Sequence, residues 1–371
     1  MTLLPCSDLF GEASVFSIEP SVQNYDEAIF RPMSKTIFLD KDNGWGLYAA
    51  DGLIIDEAAY RRGSAKALVG QSEIYYDDCD VFDSNESCVY FGPIIPHYGN
   101  FLVTTLARLW FVLREVKNGR KLLVHSDHRP EDYFANPYMG PLLRAAGLSV
   151  ENFTSPAGVT RYRNILVPSP AFVEQLCAFR SYVEPMHAIG QVIIGDRIPA
   201  RTERFAYLSK SELPKGSVAK IMSEDILEKI LSFSNFDVIY PESLSLEEQI
   251  SVFYKYKAVV GFVGSAFHSH IFCDNPSEIY GLSLESFINS NLVLLDRLNG
   301  VKGAYLDSTQ HLIAVQEEGY LITKQIKDPG LMAREILSAI GAKSPEVHSA
   351  VSPRSRRKKR KFQHVTLLTF S

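Results

Sequence analysis

The 371-residue sequence contains no run of about eighteen consecutive apolar residues, and its N-terminus carries no basic segment leading into an apolar one. Neither a spanning helix nor a signal peptide is expected. Cysteine is scarce, with five residues at 6, 79, 88, 177 and 273, odd in number, scattered, and without CxxC or Cys/His ligand spacing. A disulfide framework and a zinc site are thereby not expected, and a reducing, cytoplasmic compartment is. No strand-like run leads into a Gly-x-Gly-x-x-Gly turn, which argues against a dehydrogenase-type nucleotide enzyme. The formal net charge of −5 gives no overall attraction to nucleic acid.

What the chain does have is a regular alternation of strand-like and helical segments. At ~150 residues per domain the length suits two units, and 46% hydrophobic content suffices for two cores. In the second half, Phe205–Ser209 reads as a strand, and Val218–Phe233 as a helix with apolar residues at 218, 221, 222, 226, 227, 230 and 231. A strand at Phe236–Tyr240 follows, then a capping-box pattern at Ser245–Glu248 opening a helix to about Tyr256. The run Ala258-Val-Val-Gly-Phe-Val263 looks like a strand buried on both faces, leading through Gly264, Ser265 and Ala266 into a helix that includes His268. Further strands are expected at Glu278–Leu282 and Asn291–Leu295. This β-α alternation predicts an open parallel sheet, whose ligands bind outside the strand C-termini. Ser209-Lys210, Pro241-Glu242 and Gly264-Ser265 all fall there. A helix N-terminus at Ser265 would turn free N–H groups and the positive end of the dipole toward an anion, although such turns also occur without ligands.

The first half reads as a second α/β unit, with strands at Cys88–Phe91, Leu122–His125 and Asn164–Val167 and a helix from the Pro96-His-Tyr-Gly-Asn turn to about Val116. Short β-like runs at Thr36–Leu39 and Leu53–Ile55 suggest a small antiparallel, β-rich elaboration over the first ~85 residues. The expected organisation is a domain over 1–195, a second Rossmann-like domain over 196–345, and a disordered basic tail over 346–371. Arg354–Lys361 carries seven positive charges in eight residues. That run reads as a solvated tail, a tether to an anionic membrane surface, or a nucleic-acid arm, and nothing in the two halves supports nucleic acid. The Asp77-Asp-Cys-Asp80 cluster has an Asp-x-Asp pair of the kind that holds Mg²⁺, but continues into Asp83, Asn85 and Glu86 and reads as an Asx-rich loop; no metal site is assigned.

Several segments occurring in one order carry a resemblance. They are His97-Tyr-Gly-Asn-Phe-Leu with Arg108-Leu-Trp110, then Tyr207-Leu-Ser-Lys210, Ser223-Glu224 with Glu228, Pro241-Glu242 through Gln249, and Gly261-Phe-Val-Gly-Ser-Ala-Phe-His268 ending in Phe272. In them the chain resembles the glycosyltransferase 61 family, in its bacterial capsular or exopolysaccharide biosynthesis branch. The resemblance implies two Rossmann-like domains facing across a cleft (GT-B type), with the acceptor side in the N-terminal domain and the nucleotide-sugar donor in the C-terminal one. It further implies inverting transfer without an obligatory metal or other cofactor. The acceptor would be a saccharide or lipid-linked saccharide, handled in the cytoplasm or peripherally at the inner membrane face. Similar sequences read His-Tyr-Gly-His-Phe-Leu-x-Glu, where this one has Asn100 and Thr104 at the second His and the Glu. It also carries Lys210 where arginine is usual, keeping the charge without the bidentate fork.

Inverting transfer needs a base for the acceptor hydroxyl and a stabiliser for charge growing on the leaving diphosphate. His97 and Glu242 are the rival bases, although His97 between Pro96 and Tyr98 equally suits a helix cap. For the donor, the expected set is Ser209, Lys210, Glu224, Gln249, Gly264, Ser265, Ala266 and His268. Lys210 and the N–H groups at Ser265-Ala266 would face the phosphates. Glu224 and Glu228, four apart, read either as a solvated face shared with Lys220 or, for Glu224, as a residue orienting Lys210. Gln249 reads a base or fixes the Pro-Glu loop, and Arg108 is structural or contacts phosphate. The competing function is a catalytically weak relative that binds nucleotide sugar or glycan within an assembly complex.

Overall fold

The structure, a computed structural model, describes residues 3–33, 44–75, 80–214, 219–318 and 321–341. The expected strand at Thr36–Leu39, Asp77–Cys79 of the acidic run, Val218 and the basic tail lie outside the described residues. The chain divides into two compact units, one formed by Gly11–Ile193 and the other by Met1–Phe10 together with Ile194–Ser371. The first ten residues, expected with the N-terminal half, instead belong to the C-terminal unit. Leu4 and Pro5 pair antiparallel with Asp307 and Leu306, and Asp8–Phe10 pair parallel with Phe287–Asn289.

The C-terminal unit is built on a six-stranded sheet in the order Leu4–Pro5, Gly303–Asp307, Glu278–Ser283, Ala258–Phe262, Phe205–Leu208, Phe236–Ile239. All but the Leu4–Pro5 edge run parallel. Counted along the chain, the parallel strands lie in the order two-one-three-four-five, a doubly wound arrangement. Val259, Val260 and Phe262 are at most 1% exposed, as a central strand covered on both faces requires. Tyr207, Val260 and Leu282 share one core with Leu227 and Leu231 of the Glu224–Ser232 helix and Met332 and Ile336 of the Pro329–Gly341 helix.

Three expectations change here. The helix expected from Val218 begins only at Glu224, because Ala219 and Ser223 hold left-handed φ values of 59° and 63° that a helix cannot propagate through. Between them Lys220–Met222 is a strand, parallel to Thr323–Gln325 in a small sheet completed by the Leu312–Glu318 and Leu321–Ile326 hairpin. The strand expected at Asn291–Leu295 is the start of a helix, Ser290–Asn299. Its local apolar run looks β-like, but Asn289 caps it through the Asn291 N–H (3.0 Å) and Gly300 ends it at φ 65°. The helix after Gly264 is a 3-10 helix, Ser265–Phe272.

The N-terminal unit carries a five-stranded sheet in the order Phe153–Thr154, Lys121–His125, Cys88–Pro93, Ile165–Pro168, Val22–Tyr25, the last antiparallel and the others parallel. The β-rich start is present, but it is not a separate antiparallel module. Ala28–Arg31 pairs with Thr160–Tyr162 and Ser14–Phe16 with Cys177–Phe179, so early strands complete later ones. Leu53 and Ile54 make only isolated bridges. The long helix expected to Val116 is three pieces: Tyr98–Val103, a 3-10 turn Thr105–Arg108, and Leu109–Lys117. Buried Thr105 explains the break, since its hydroxyl bonds the Pro93 carbonyl (2.9 Å) and accepts the Ile95 N–H (3.0 Å). The Ala107 carbonyl is taken by the Ala171 N–H (2.7 Å). Among the described residues no helix is long and apolar enough to cross a membrane.

Candidate functional site

In a doubly wound sheet a crevice opens where neighbouring strands send their connections to opposite faces. In the C-terminal unit that place lies between Phe205–Leu208 and Ala258–Phe262, adjacent strands one and three. Gly261 lets them close, since a Cβ there would stand 2.6 Å from the Leu208 carbonyl oxygen. Lys210 leaves the first strand and its Nζ donates to the Val263 carbonyl (2.8 Å) at the end of the other. A Cβ on Gly264 would lie 3.2 Å from that ammonium. The cation and the Gly264 turn are thus brought together, as the sequence leads one to expect. An ammonium has three donors, and Val263 takes one. Beyond the turn, the first bond of the 3-10 helix is made by Phe267 N–H to the Gly264 carbonyl (3.1 Å). Ser265 and Ala266, both half-buried, precede it and present the helix's first N–H groups.

Two buried carboxylates brace this strand end. Glu224 accepts from Tyr207 Oη (2.9 Å) on one oxygen and from the Lys210 backbone N–H (3.1 Å) on the other. Glu228, one turn on, accepts from Ser209 Oγ (2.5 Å) and Tyr240 Oη (3.0 Å). Both are under 8% exposed, so the reading of a solvated Glu224/Glu228 face is corrected. That helix face is turned inward against Tyr207 and Ser209, and Lys220 is on a strand rather than on it. Desolvation raises the Glu224 carboxyl to about 7, against the Tyr207 and Lys210 bonds and the Lys210 charge. Desolvation likewise lowers the Lys210 ammonium to about 8, with the Glu224 charge opposing. Near neutral pH the two sit close to their titration points, a poise that an incoming anion would shift.

The remaining residues of the expected donor set are placed less directly. Ser209 Oγ is within bonding distance of Glu228 and of Ser211 Oγ (3.0 Å), so its hydroxyl belongs to the brace. Gln249 Nε2 donates to the Pro241 (3.0 Å) and Leu244 (3.2 Å) carbonyls, which makes it the clasp of the Pro-Glu loop. Glu248 completes the capping box with Ser245. Glu242 is exposed on that loop, and desolvation with the nearby Glu212 and Glu228 charges raises its pKa. His268 is largely buried within the 3-10 helix.

In the N-terminal unit, His97 occupies the N-cap of Tyr98–Val103 without capping it by its side chain. The residue is exposed; partial desolvation lowers its pKa, with Asn100 and the Glu174 charge opposing and Arg62 adding to the lowering. Arg108 is 3% exposed and structural: Nε donates to the Pro168 carbonyl (2.8 Å), an Nη to that of Glu57 (2.5 Å), and the guanidinium stacks on Tyr90 at 5.2 Å. Desolvation lowers it to about 10. A cavity of about 690 Å³, lined by Tyr60, Thr104, Ser169, Phe172, Glu174 and Phe179 among others, opens in this unit. Its size lies within the ~300–1,000 Å³ usual for small-molecule sites.

Sequence reasoning missed Glu174. It follows the two-residue strand Phe172–Val173, with Gln175 at φ 58° turning the chain. The signal that was present is weak: a lone acidic residue beside an apolar pair in Ala-Phe-Val-Glu-Gln-Leu, with nothing to show that its partners lie some 70 to 115 residues earlier. Tyr207 and Tyr240 were also missed as partners, since their rings read as strand core.

Residues 98–280 match the family model described as Glycosyltransferase 61. No curated protein matches the chain. The family match spans Lys210, both bracing glutamates and the Gly264-Ser265 turn, and supports a transferase that uses a sugar donor and a saccharide acceptor.

Proposed function

We propose that this protein is a sugar transferase of the glycosyltransferase 61 family, moving a sugar from a nucleotide-activated donor to a saccharide acceptor with inversion in polysaccharide or glycan biosynthesis. The observation that carries this reading is the Lys210 ammonium beside the Gly264-Ser265 turn at the switch point of a doubly wound sheet. A diphosphate seated there receives the two remaining ammonium donors and the N–H groups of Ser265 and Ala266. These groups supply the charge stabilisation that the leaving diphosphate needs, so no metal is assigned to that task. Glu224 holds Lys210 at the turn through its backbone, and His268 follows on the same helix.

In the transfer step an acceptor hydroxyl attacks the anomeric carbon, the bond from that carbon to the diphosphate oxygen breaks, and the nucleoside diphosphate departs with the electron pair. The hydroxyl proton passes to His97 from the N-terminal unit, with Glu242 as the rival base. The cavity at Tyr60 and Phe172 is the acceptor recess in this reading. The architecture is of the GT-B type in this reading, and the protein works in the cytoplasm, the basic tail tethering it to the anionic inner membrane face.

A second reading, a weakly catalytic relative that binds donor or glycan within an assembly, draws on Asn100 and Thr104 standing where similar sequences carry His and Glu. Calorimetric and thermal-shift titration with nucleoside diphosphates and nucleotide sugars in EDTA, with Ser265→Trp as control, tests the donor site. Metal-independent binding lost in the control is the expected result, and no binding by any donor removes the proposal. Donor hydrolysis or transfer then separates enzyme from binder.

A further inference from the structure

We infer that the cavity of the N-terminal unit selects an uncharged sugar, whose hydroxyls donate to Thr104 and Tyr60 where Glu174 holds them. The inference rests on the reading of that cavity as the acceptor recess. The charged side chains described on its wall are Asp56, Arg61, Lys66, Glu73, Arg108 and Glu174. Arg61 pairs with Asp56 (3.0 Å) and with Glu73 (3.2 Å). Arg108 is held by the Pro168 and Glu57 carbonyls and the Tyr90 ring. Glu174 is 4% exposed and pairs through Oε2 with Arg62 (2.7 Å), while its Oε1 accepts from Tyr60 Oη (2.6 Å), Thr104 Oγ1 (2.5 Å) and Asn100 Nδ2 (3.3 Å). Lys66 is exposed, on a turn closed by its N–H to the Gly63 carbonyl (2.9 Å), so water and salt screen its charge. A carboxylate or phosphate entering this space meets guanidinium groups that already have partners and a buried anion that repels it. An ammonium finds that anion already neutralised by Arg62.

The direction of each bond then decides what kind of group the wall accepts. The Arg62 pair and the surrounding donors keep Glu174 ionised, and an ionised carboxylate only accepts, so the hydroxyl protons of Thr104 and Tyr60 both point to it. Arg62 Nη2 donates in turn to Tyr60 Oη (2.9 Å). What Thr104 Oγ1 and Tyr60 Oη have left to offer is oxygen lone pairs. A ligand group seated against them must donate, which a sugar hydroxyl does and a carboxylate or phosphate does not. The remaining wall includes Phe172, packed on Tyr182 (5.4 Å between ring centroids), and Phe179, packed on Phe16 (5.3 Å). These rings suit the C–H face of a pyranose. A wholly apolar ligand would take the Thr104, Tyr60 and Ser169 oxygens out of water without a hydrogen-bond donor in return. A neutral polyhydroxyl ring with an apolar face meets both kinds of wall.

Half-buried Cys177 lies on the same wall and reports occupancy without an activity assay, while Cys6, in the C-terminal unit, serves as the internal control. The probes are the methyl glycosides of glucose, galactose and mannose, each beside its uronic acid, so that the members of a pair differ only in a hydroxymethyl or a carboxylate group. Binding to the full chain is read by saturation-transfer NMR, and alkylation of each cysteine by peptide mass spectrometry. At least one neutral glycoside should slow Cys177 alkylation roughly fourfold at about three times its Kd, leaving Cys6 unaffected. Its uronic counterpart should bind about tenfold more weakly or worse. Thr104→Val keeps the shape and removes the lone pairs, and should raise the neutral glycoside's Kd about 3–10-fold. Cys177→Trp fills the cavity and should abolish glycoside binding; it serves if Thr104→Val does not fold. The inference is overturned if a uronic acid binds as tightly as its neutral partner, if no neutral glycoside protects Cys177, or if binding survives Cys177→Trp unchanged. Should glycosides bind as expected and no nucleoside diphosphate bind, the sugar site stands and the transferase reading falls. Diphosphate binding without any glycoside binding does the reverse.

Discussion

Replacing Lys210 by methionine should move stability and binding in opposite directions. Burial lowers this ammonium from its ordinary 10.5 to about 8, a difference worth roughly 3 kcal/mol against the folded state. The sign follows from the direction of the shift: with the folded pKa depressed, the full cost applies below pH 8 and fades as the pH rises through 10.5. Methionine keeps the apolar stem and removes that cost. It also leaves the Val263 carbonyl without its 2.8 Å donor, which returns about 1 kcal/mol. The ligand-free variant should therefore be more stable at pH 7 by about 2 kcal/mol. A nucleoside diphosphate loses a charge-assisted bond worth roughly 1.5–3 kcal/mol, so its Kd should rise about 10–150-fold. Urea unfolding at pH 7 and calorimetry with the same diphosphate read the two quantities. Should Lys210→Met lose more than about 1 kcal/mol of stability and keep the wild-type Kd, the lysine is a strut between two strand ends and the donor site is misplaced.

Other expectations follow from the same geometry. Glu224, raised to about 7 in the folded chain, contributes stability that is complete below its ordinary 4.5 and lost as the pH rises through 7. Wild type should therefore lose roughly 3 kcal/mol relative to Glu224→Gln between pH 4.5 and 8, and parallel unfolding curves would count against the brace. Ser265→Trp should abolish diphosphate binding while leaving the melting temperature within a few degrees of wild type; unchanged affinity would move the phosphates elsewhere. Arg108→Ala should cost about 3 kcal/mol or more by stranding the Pro168 and Glu57 carbonyls and opening a void under Tyr90, with donor affinity untouched. A loss of affinity without loss of stability would return Arg108 to the phosphate.

The C-terminal sheet was largely legible because its signals are local. The Ala258–Phe262 strand is written in β-branched and aromatic residues, and the Ser245–Glu248 box forms as its pattern implies. Lys210 and Gly264 could be paired in advance because parallel strands bring their C-termini to one edge. The errors arose where a side chain found a partner far along the chain. Thr105 and Arg108 break the long helix by bonding strand-end carbonyls, which no helical period reveals. Glu224 and Glu228 looked like a charged surface stripe, since spacing alone cannot tell a face turned to water from one turned to tyrosine hydroxyls. Asn100 and Thr104 read as losses from a motif, while in space both hold a carboxylate delivered from residue 174.

The pairing of Leu4–Pro5 with residues 306–307 has a consequence for how the chain is made. Synthesis delivers these two segments about 300 residues apart, so at ~5–20 residues per second the N-terminal strand waits on the order of 15–60 s for its partner. The sheet that carries Lys210 and Gly264 cannot close its Gly303–Asp307 edge until then. A fragment cut at residue 194 would leave that edge with open N–H and C=O groups, a template for another chain. Fusing residues 3–10 back onto such a fragment would restore the missing edge, and with it a soluble C-terminal unit.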